Sequence, residues 1–222
     1  EVVRQIKPIL LKGQKIGHAG TLDPLAQGVL PICLGQATLL MQYAVEGKKV
    51  YCANIQLGYV SETYDAEGPI HQQQLDTSNI NIDAIGDALQ QFTGTIQQTP
   101  PMYSALKVNG QRLYTLARAG LEITRKPRTV QIASIRVERL QDSILTITIN
   151  CGHGVYIRSL AHDLGQSLGC GAYITNLVRN YSGGFPISES SDLHTITSDP
   201  SNLISEHLHP LDWPIRLLPK SD

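Results

Sequence analysis

Strands are marked along this chain by apolar and polar residues that alternate with a period of two. The alternation runs through Lys49–Leu57, and it returns in residues 130–140 and in Ile144–Cys151. The short segment 141–143 separates the last two runs, so we expect an antiparallel pair joined by a tight turn. Two shorter apolar runs, residues 29–34 and 173–178, predict further strands.

Helical spacing of apolar residues is strongest in residues 82–92, where Asn81 or Asp83 is a suitable N-cap. Further helices are predicted over residues 2–11, 38–45 and 155–168, with loops over residues 13–24 and 58–69. Strands occur in neighbouring runs, without regular βαβ alternation. The pattern therefore predicts a single domain of the α+β class, with a mixed, largely antiparallel central sheet flanked by helices and loops.

Charge is unevenly distributed along the chain. The totals of 18 Lys and Arg against 19 Asp and Glu exclude a protein held to nucleic acid by bulk charge. Residues 107–128 nevertheless carry a net +5, whereas residues 51–106 contain no Lys or Arg. Within the basic segment, Asn109-Gly110 predicts a tight hairpin that presents Lys107 and Arg112 together. The segment is either a phosphate-binding surface or a solvated helix face.

Cysteine usage and hydropathy are those of a protein in a reducing compartment. The four cysteines are isolated and form no CxxC pair, so neither a disulfide framework nor a zinc site is expected. The sequence has no apolar run of membrane-spanning length and opens without a basic-then-apolar leader. We therefore expect a soluble, cytoplasmic protein. Because the chain opens at Glu1 directly on a predicted helix, we also expect its native N-terminus to lie further upstream.

The residues that most suggest chemistry lie in a glycine-rich stretch, residues 17–30, which reads GHAGTLDPLAQGVL. Its glycines permit tight backbone paths and close approach of a ligand around one carboxylate, Asp23. Taken alone, an aspartate before Pro24 is also a turn former, and His18 in a loop is also an ordinary surface residue. Local sequence leaves a catalytic and a structural interpretation open for both Asp23 and His18.

The same stretch resembles the signature of the TruB family of tRNA pseudouridine synthases, G-H-x-G-T-L-D-P-x-A-x-G-V-L. Further segments follow in the family's order, and together they cover residues 16–185. They are Lys49-Val50-Tyr51; Leu57-Gly58 with Thr63, Asp65 and Gly68; residues 98–105 (QTPPMYSA) with Lys107, Gly110, Arg112 and Tyr114; residues 154–160 (GVYIRSL) with Asp163-Leu164-Gly165; and Leu177-Val178-Arg179 with Ser182-Gly183.

The resemblance implies the pseudouridine synthase fold and an isomerase that converts a uridine in the T arm of tRNA, at position 55, to pseudouridine. The bond from C1′ to N1 is cleaved, the base turns, and it is rejoined through C5, with neither cofactor nor metal. In this reaction Asp23 acts as nucleophile or base at the sugar. Arg158 holds the Asp23 carboxylate, and Tyr51 stacks on the target uracil.

Contacts with the substrate are implied in the same way. Tyr156 and Leu177 form further walls of the uracil pocket. The target uridine is stacked inside the folded T arm, so the enzyme has to flip it out, and His18 fills the gap. We expect tRNA as the partner, no obligate protein partner, and a monomer. The phosphates are gripped by three basic residues, Lys107, Arg112 and Arg179.

The resemblance also sets the expected domain boundaries. Residues 1–185 correspond to the catalytic domain, without the family's N-terminal strand and its K-P-x-G-x-T-S segment. Residues 186–222 form a C-terminal tail with no evident RNA-binding domain of the PUA type. Two positions depart from the family pattern, because Gln27 stands where threonine is common and His153 where lysine is frequent. We expect one phosphate contact to be weaker as a result.

Three alternatives remain open. In the first, the chain is a pseudouridine synthase that acts on another RNA. In the second, it is a non-catalytic module that binds RNA or assists tRNA folding. The presence of Asp23, Tyr51 and Arg158 together favours catalysis, because RNA binding alone does not require these three side chains. A metal hydrolase that uses His194, His207 and His209 is the weakest alternative, since no carboxylate lies at helical ligand spacing to them.

Overall fold

A computed structural model describes residues 1–73, 80–108, 110–198 and 208–213. The chain forms two compact units. The terminal unit comprises Glu1–Val50 and Arg179–Asp222, and the central unit comprises Tyr51–Val178. The strands Lys49–Leu57 and Ala172–Ser182 cross the two boundaries, so each contributes residues to both units.

Strands and short helices follow one another without a repeating order, as expected for an α+β protein. The strands are β1 (Ile16–His18), β2 (Gln27–Gly28), β3 (Ile32–Leu34), β4 (Lys49–Leu57), β5 (Tyr59–Ser61), β6 (Ile70–Gln72), β7 (Gly94–Gln98), β8 (Lys107–Val108), β9 (Gln111–Arg112), β10 (Arg128–Gln141), β11 (Ile144–Cys151), β12 (Ala172–Ser182) and β13 (Phe185–Pro186). The helices are α1 (Val2–Ile6), α2 (Met41–Glu46), α3 (Ile82–Gln90), α4 (Leu113–Arg118), α5 (Ile157–Ser167) and α6 (Leu193–Ser198). Within the described residues, none of these helices is long and apolar enough to cross a bilayer.

The sheet of the central unit runs in the order β12, β4, β11, β10, β7. β10 and β11 pair antiparallel with Gln141 opposite Ile144, around a turn in which Asp142 and Ser143 have φ of 50° and 63°. β7 pairs antiparallel with the other edge of β10. The strands predicted over residues 49–57, 130–140 and 144–151, and the antiparallel pairing of the last two, are confirmed.

Alternation along these strands decides which side chains form the core. Ala53 and Ile55 of β4 and Ile147 and Ile149 of β11 are 0% exposed, while the residues between them are half-buried. Leu164 of α5 is also fully buried, and α3 packs against both β10 and α5. Since burial of one such Ile or Leu side chain contributes about 1.5–3 kcal/mol, this face of the sheet and its helices hold the central unit together.

Helix α3 shows how a local signal fixes an element. The Asn81 side chain accepts a hydrogen bond from Ala84 N at 2.9 Å, so Asn81 is the N-cap. It satisfies one of the backbone donors that a helix start leaves unpaired. The helix ends at Gln90, two residues before the predicted end.

The terminal unit is built around shorter strands. β1 pairs antiparallel with β3, with Gly17 opposite Cys33, and the end of β12 pairs with β13, with Ser182 opposite Phe185. Helix α1 packs against α6. Gly183 has φ of +58°, and a Cβ there would lie 2.2 Å from Ala44 O. Glycine at this position therefore permits the close approach of α2.

Several predicted elements in the terminal unit are shorter than expected. The helix predicted over residues 2–11 ends at Ile6 and continues as a 3₁₀ turn, because Pro8 lacks the N–H that a bond to Arg4 would need. The strand predicted over 29–34 begins only after Pro31, which likewise has no donor. The helix predicted over 38–45 begins at Met41, after a 3₁₀ turn. β1 and β5 lie in predicted loops, because three residues are too few to show alternation.

Candidate active site

Arg158 is the second residue of α5, and it lies inside the central unit, where the residue as a whole is 3% exposed. Its Nη1 donates to Thr63 O at 3.0 Å and its Nη2 donates to Tyr103 O at 2.9 Å. Its Nε lies 3.5 Å from Asp65 Oδ2. A planar guanidinium with three separate anchors has a single orientation, which is the condition for presenting charge in a fixed direction.

Asp65, which is 2% exposed, is itself held by two groups. Thr63 Oγ1 donates to Asp65 Oδ1 at 2.5 Å, and Glu67 N donates to the same oxygen at 3.0 Å. Sequence reasoning noted Thr63 and Asp65 as parts of a motif but gave them no role. The available signal was a carboxylate bracketed by hydroxyl residues in a loop that precedes a glycine, Gly68.

Tyr64 lies in this loop, between Thr63 and Asp65. It adopts φ of 63°, and its ring stacks on His162 of α5 with centroids 3.9 Å apart and 13° between planes. Burial, and then the nearby Arg125, lower the pKa of His162. The His162 ring is thus stacked on Tyr64, the residue of positive φ between Thr63 and Asp65, and it supports their position.

The segment after β7 fixes the start of α5. Gln98 Nε2 donates to Tyr156 O at 3.0 Å, and Tyr156 N donates to Gln98 Oε1 at 2.8 Å. Ser159 Oγ donates to Thr99 O at 2.8 Å. The two residues that flank Ile157, Tyr156 and Arg158, are thus held on a common frame. Tyr156 is half-buried, and its role as a pocket wall stays a prediction.

Tyr51 and Leu177 lie on neighbouring strands of the central sheet, β4 and β12. Tyr51 is 8% exposed and Leu177 is 4% exposed. Core packing and a role as pocket walls are compatible at this exposure. Their contact with a uracil stays a prediction.

Asp23 and His18 belong to the terminal unit. Asp23 is half-buried, and its carbonyl accepts from Ala26 N at 2.9 Å, so it does begin a turn. His18 is exposed at the end of β1, opposite Ile32. Asp23 lies in the terminal unit, whereas Arg158 and Tyr51 lie in the central unit. The contact of Asp23 with Arg158 therefore stays a prediction.

Arg179 occupies a different environment from the one that a phosphate contact requires. Its side chain is 1% exposed, and its guanidinium donates to three backbone carbonyls, those of Gly20, Thr21 and Val29. This corrects the prediction that Arg179 grips RNA, because a buried group with committed donors does not meet a phosphate at the surface.

The predicted hairpin with two cations is present. β8 and β9 pair with Lys107 opposite Arg112, and both side chains are exposed. Arg112 and Arg118 lie over the Tyr114 ring at 5.9 Å and 5.7 Å. A hydrogen bond from Arg112 lowers the pKa of Tyr114. Gly110 has φ of +82°, and Asn109 lies outside the described residues. The phosphate contacts of Lys107 and Arg112 stay predictions.

Metal binding has no support in the part of the chain that the structure describes. It contains no group of three His, Cys, Asp or Glu side chains arranged to hold an ion. Of the histidines considered for a hydrolase, His194 and His209 are described, and His207 lies outside the described residues. None of the four cysteines, which all lie in the described part of the chain, forms a disulfide.

Comparison with known proteins identifies the family. The model of the TruB family pseudouridylate synthase N-terminal domain matches residues 8–157, and that of the tRNA pseudouridylate synthase B C-terminal domain matches residues 158–216. The tRNA pseudouridine synthase B of Clostridium acetobutylicum is 49% identical over 196 residues, which is 88% of this chain and 67% of that protein. The enzyme of the same name from Dehalococcoides mccartyi is 46% identical over 192 residues, 86% of this chain and 63% of that protein.

Solved structures share the fold. The crystal structure of a Cbf5-Nop10-Gar1 complex contains a chain with a TM-score of 0.68 and 28% identity, covering 96% of this chain and 54% of that one. The crystal structure of the archaeal box H/ACA sRNP Nop10-Cbf5 complex contains a chain with a TM-score of 0.69 and 25% identity, covering 98% of this chain and 57% of that one. This chain thus spans somewhat more than half the length of the solved chains.

These similarities bear directly on what the sequence predicted. The α+β class with a mixed central sheet is confirmed by the structure and its neighbours. The predicted enzyme class, a pseudouridine synthase of tRNA, is confirmed by two domain matches and by relatives that carry that name. The chain belongs to the TruB family of pseudouridine synthases.

Proposed function

We propose that this chain isomerises a uridine in the T arm of tRNA, at position 55, to pseudouridine, with Asp23 as the residue that acts on the sugar. The observation that carries the proposal is the fixation of Arg158 by Asp65, Thr63 and Tyr103. A buried ion pair is a poor source of stability. A guanidinium fixed in direction is, by contrast, what a reacting carboxylate needs beside it.

The reaction conserves every atom of the uridine. The bond between C1′ and N1 breaks, the uracil turns, C5 bonds to C1′, and the proton lost from C5 is balanced by the proton gained at N1. Asp23 either attacks C1′ or stabilises positive charge at the sugar and accepts a proton from it. In both routes the carboxylate reacts in its ionised form, and the Arg158 cation offsets its charge.

Side chains of the central unit hold the base. Tyr51 stacks on the uracil, and a flat ring tolerates the base in both orientations, which a fixed set of hydrogen bonds does not. Tyr156 and Leu177 form the remaining walls. Their supporting observation is that Gln98 fixes Tyr156 through two hydrogen bonds, while Tyr51 and Leu177 lie on adjacent strands.

Binding of the folded T arm requires extrusion of the target, which costs a few kcal/mol. His18 fills the space that the uridine leaves, in keeping with its exposed position at the end of β1. Lys107 and Arg112 contact phosphates from the exposed hairpin. We further propose residues 1–185 as the catalytic domain, a monomer without an obligate protein partner, and a cytoplasmic location.

Release of tritium from C5-labelled uridine tests reaction and target together. The substrates are whole tRNA, an isolated T-arm hairpin, and the same hairpin with cytidine at position 55 and label in its other uridines. We expect release from the first two and none from the third. Release from the third would reassign the target position. Absence of release from all three, with tight binding, would favour a non-catalytic RNA-binding protein.

A further inference from the structure

Arg179 is the largest fully buried polar side chain among the described residues of the terminal unit. Its Nε donates to Val29 O at 2.8 Å, its Nη2 to Gly20 O at 3.0 Å and its Nη1 to Thr21 O at 3.4 Å. All three acceptors are backbone carbonyls. A charged side chain is buried only when such partners replace the water that it loses.

These acceptors lie at both ends of one loop. Gly20 and Thr21 precede Asp23, and Val29 follows it; we call residues 20–29 the Asp23 loop. The backbone adds a further bond, because Val29 N donates to Arg179 O at 2.9 Å. One arginine therefore closes the base of the loop with its side chain and its main chain together. Inside the loop, Ala26 N bonds to Asp23 O at 2.9 Å.

Gly28 makes the approach of Arg179 possible. It has φ of +98°, and a Cβ at this position would lie 2.3 Å from Arg179 O and 2.9 Å from Arg179 N. Contacts this short with backbone atoms have no room to relax, and the φ is unfavourable for any other residue. Glycine at position 28 is thus what allows the Arg179 backbone to lie against the loop.

We propose that Arg179 is a positioning residue for pseudouridine formation, which fixes the Asp23 loop and so the Asp23 carboxylate, and that it makes no contact with RNA. The proposal rests on the proposed function, since it assigns Arg179 a part in that reaction. Displacement of a reacting group by about 1 Å costs on the order of 100-fold in rate. A flexible loop base therefore lowers the rate of the chemical step and leaves RNA binding intact.

Two substitutions of Arg179 test this with single-turnover kinetics and equilibrium binding of a T-arm hairpin. We expect Arg179→Met to lower the rate constant at saturating RNA by about 100-fold, with Kd changed by less than about threefold. The rate constant of Arg179→Lys should lie between those of the wild type and Arg179→Met, because one ammonium reaches one end of the loop but does not span both ends. The control is Arg136→Met, whose side chain is 74% exposed on β10, and both of its parameters should stay at the wild-type value.

A phosphate contact predicts the opposite pattern. Loss of such a contact weakens binding and reduces the slope of log K against log salt by about 1, with the rate at saturation unchanged. That result for Arg179→Met, or a wild-type rate constant in Arg179→Met, overturns the proposal. Arg112→Met supplies the reference for a true phosphate contact in the same assay.

Hydrogen exchange gives a readout that is independent of activity. In Arg179→Lys the Ala26 and Val29 amides should exchange faster, while amides of β10 and β11 keep their wild-type rates. If Arg179→Met does not fold, Gly28→Ala weakens the same arrangement from the other side. It should give the same fall in rate constant with unchanged Kd. Wild-type rates in both Arg179→Lys and Gly28→Ala would refute the proposal.

Failure of the proposed function shows itself differently. In that case the wild-type protein releases no tritium at all, while the exchange of Ala26 and Val29 still reports whether Arg179 fixes the loop. If the wild type is active and the Arg179 and Gly28 variants have the wild-type rate constant, only the positioning role of Arg179 is refuted.

Discussion

Arg158 and Asp65 form an ion pair inside the central unit, with 3.5 Å between the Nε and Oδ2 atoms and side-chain exposures of 4% and 3%. The pair joins α5 to the loop that follows β5. Because Thr63 and Glu67 hold the aspartate in turn, the direction of the guanidinium is set by a network and not by one contact. The orientation of Arg158 is therefore a property of the folded central unit.

Removal of the buried carboxylate should be costly. We expect Asp65→Asn to lower the free energy of unfolding by about 3 kcal/mol, because it removes one carboxylate from a buried, hydrogen-bonded ion pair. Urea denaturation measures the change. The matched control is Glu138→Gln, which breaks the exposed pair of Glu138 with Arg136 and should cost much less, because solvent screens an exposed pair. Equal losses of unfolding free energy in the two variants would show that the buried pair contributes no more to stability than the exposed pair.

Arg158 itself should tolerate no replacement without loss of rate. Arg158→Ala is expected to reduce single-turnover tritium release by at least about 100-fold, because the proposed pair of Arg158 with the Asp23 carboxylate would lose its cation. Arg158→Lys restores only part of this, since lysine lacks the planar fork that reaches Thr63 O and Tyr103 O together. A near-normal rate in Arg158→Ala would contradict the proposed ion pair with Asp23.

Asp163 should make stability depend on pH. Burial raises the pKa of Asp163 from its ordinary value of 3.8 to about 6. At a pH between these two values, the folded state binds more protons than the unfolded state. The penalty on the folded state is therefore complete above about pH 6, shrinks as the pH falls below 6, and is absent below the ordinary pKa of 3.8. Relative to Asp163→Asn, the wild type should lose stability as the pH rises from 3.8 to about 6, and the difference should stay constant at higher pH. His162, whose pKa burial lowers, is present in both proteins and cancels. A difference independent of pH would contradict the burial of the charge.

Two helix glycines should respond to alanine with opposite signs. A Cβ at Gly165 of α5 would lie 2.2 Å from Ala172 N, whereas nothing lies within 4 Å of a Cβ at Gly86 of α3. Gly86→Ala should therefore stabilise the protein by up to about 1 kcal/mol. Gly165→Ala should destabilise it, because α5 would be pushed from the start of β12. Thermal unfolding of the two variants decides the matter, and stabilisation by Gly165→Ala would contradict the packing.

Local signals carried much of the fold. The alternation in β4, β10 and β11 and the cap at Asn81 were readable because each depends on neighbours in sequence. What the sequence did not show depends on distant partners. Arg158 meets Thr63 across 95 positions, and Arg179 meets Gly20 across 159. Reading Arg179 as a phosphate ligand followed from its charge alone, since nothing in its neighbourhood indicates that β12 buries it.

The most direct test of the account is the behaviour of Asp23→Asn, which removes one negative charge and keeps the shape of the side chain. Tritium release from a C5-labelled T-arm hairpin should fall to the background measured without protein. Binding of the same hairpin should stay within about tenfold of wild type, or about 1.4 kcal/mol. Release at the wild-type rate by this variant would contradict the assignment of Asp23 as the residue that acts on the sugar.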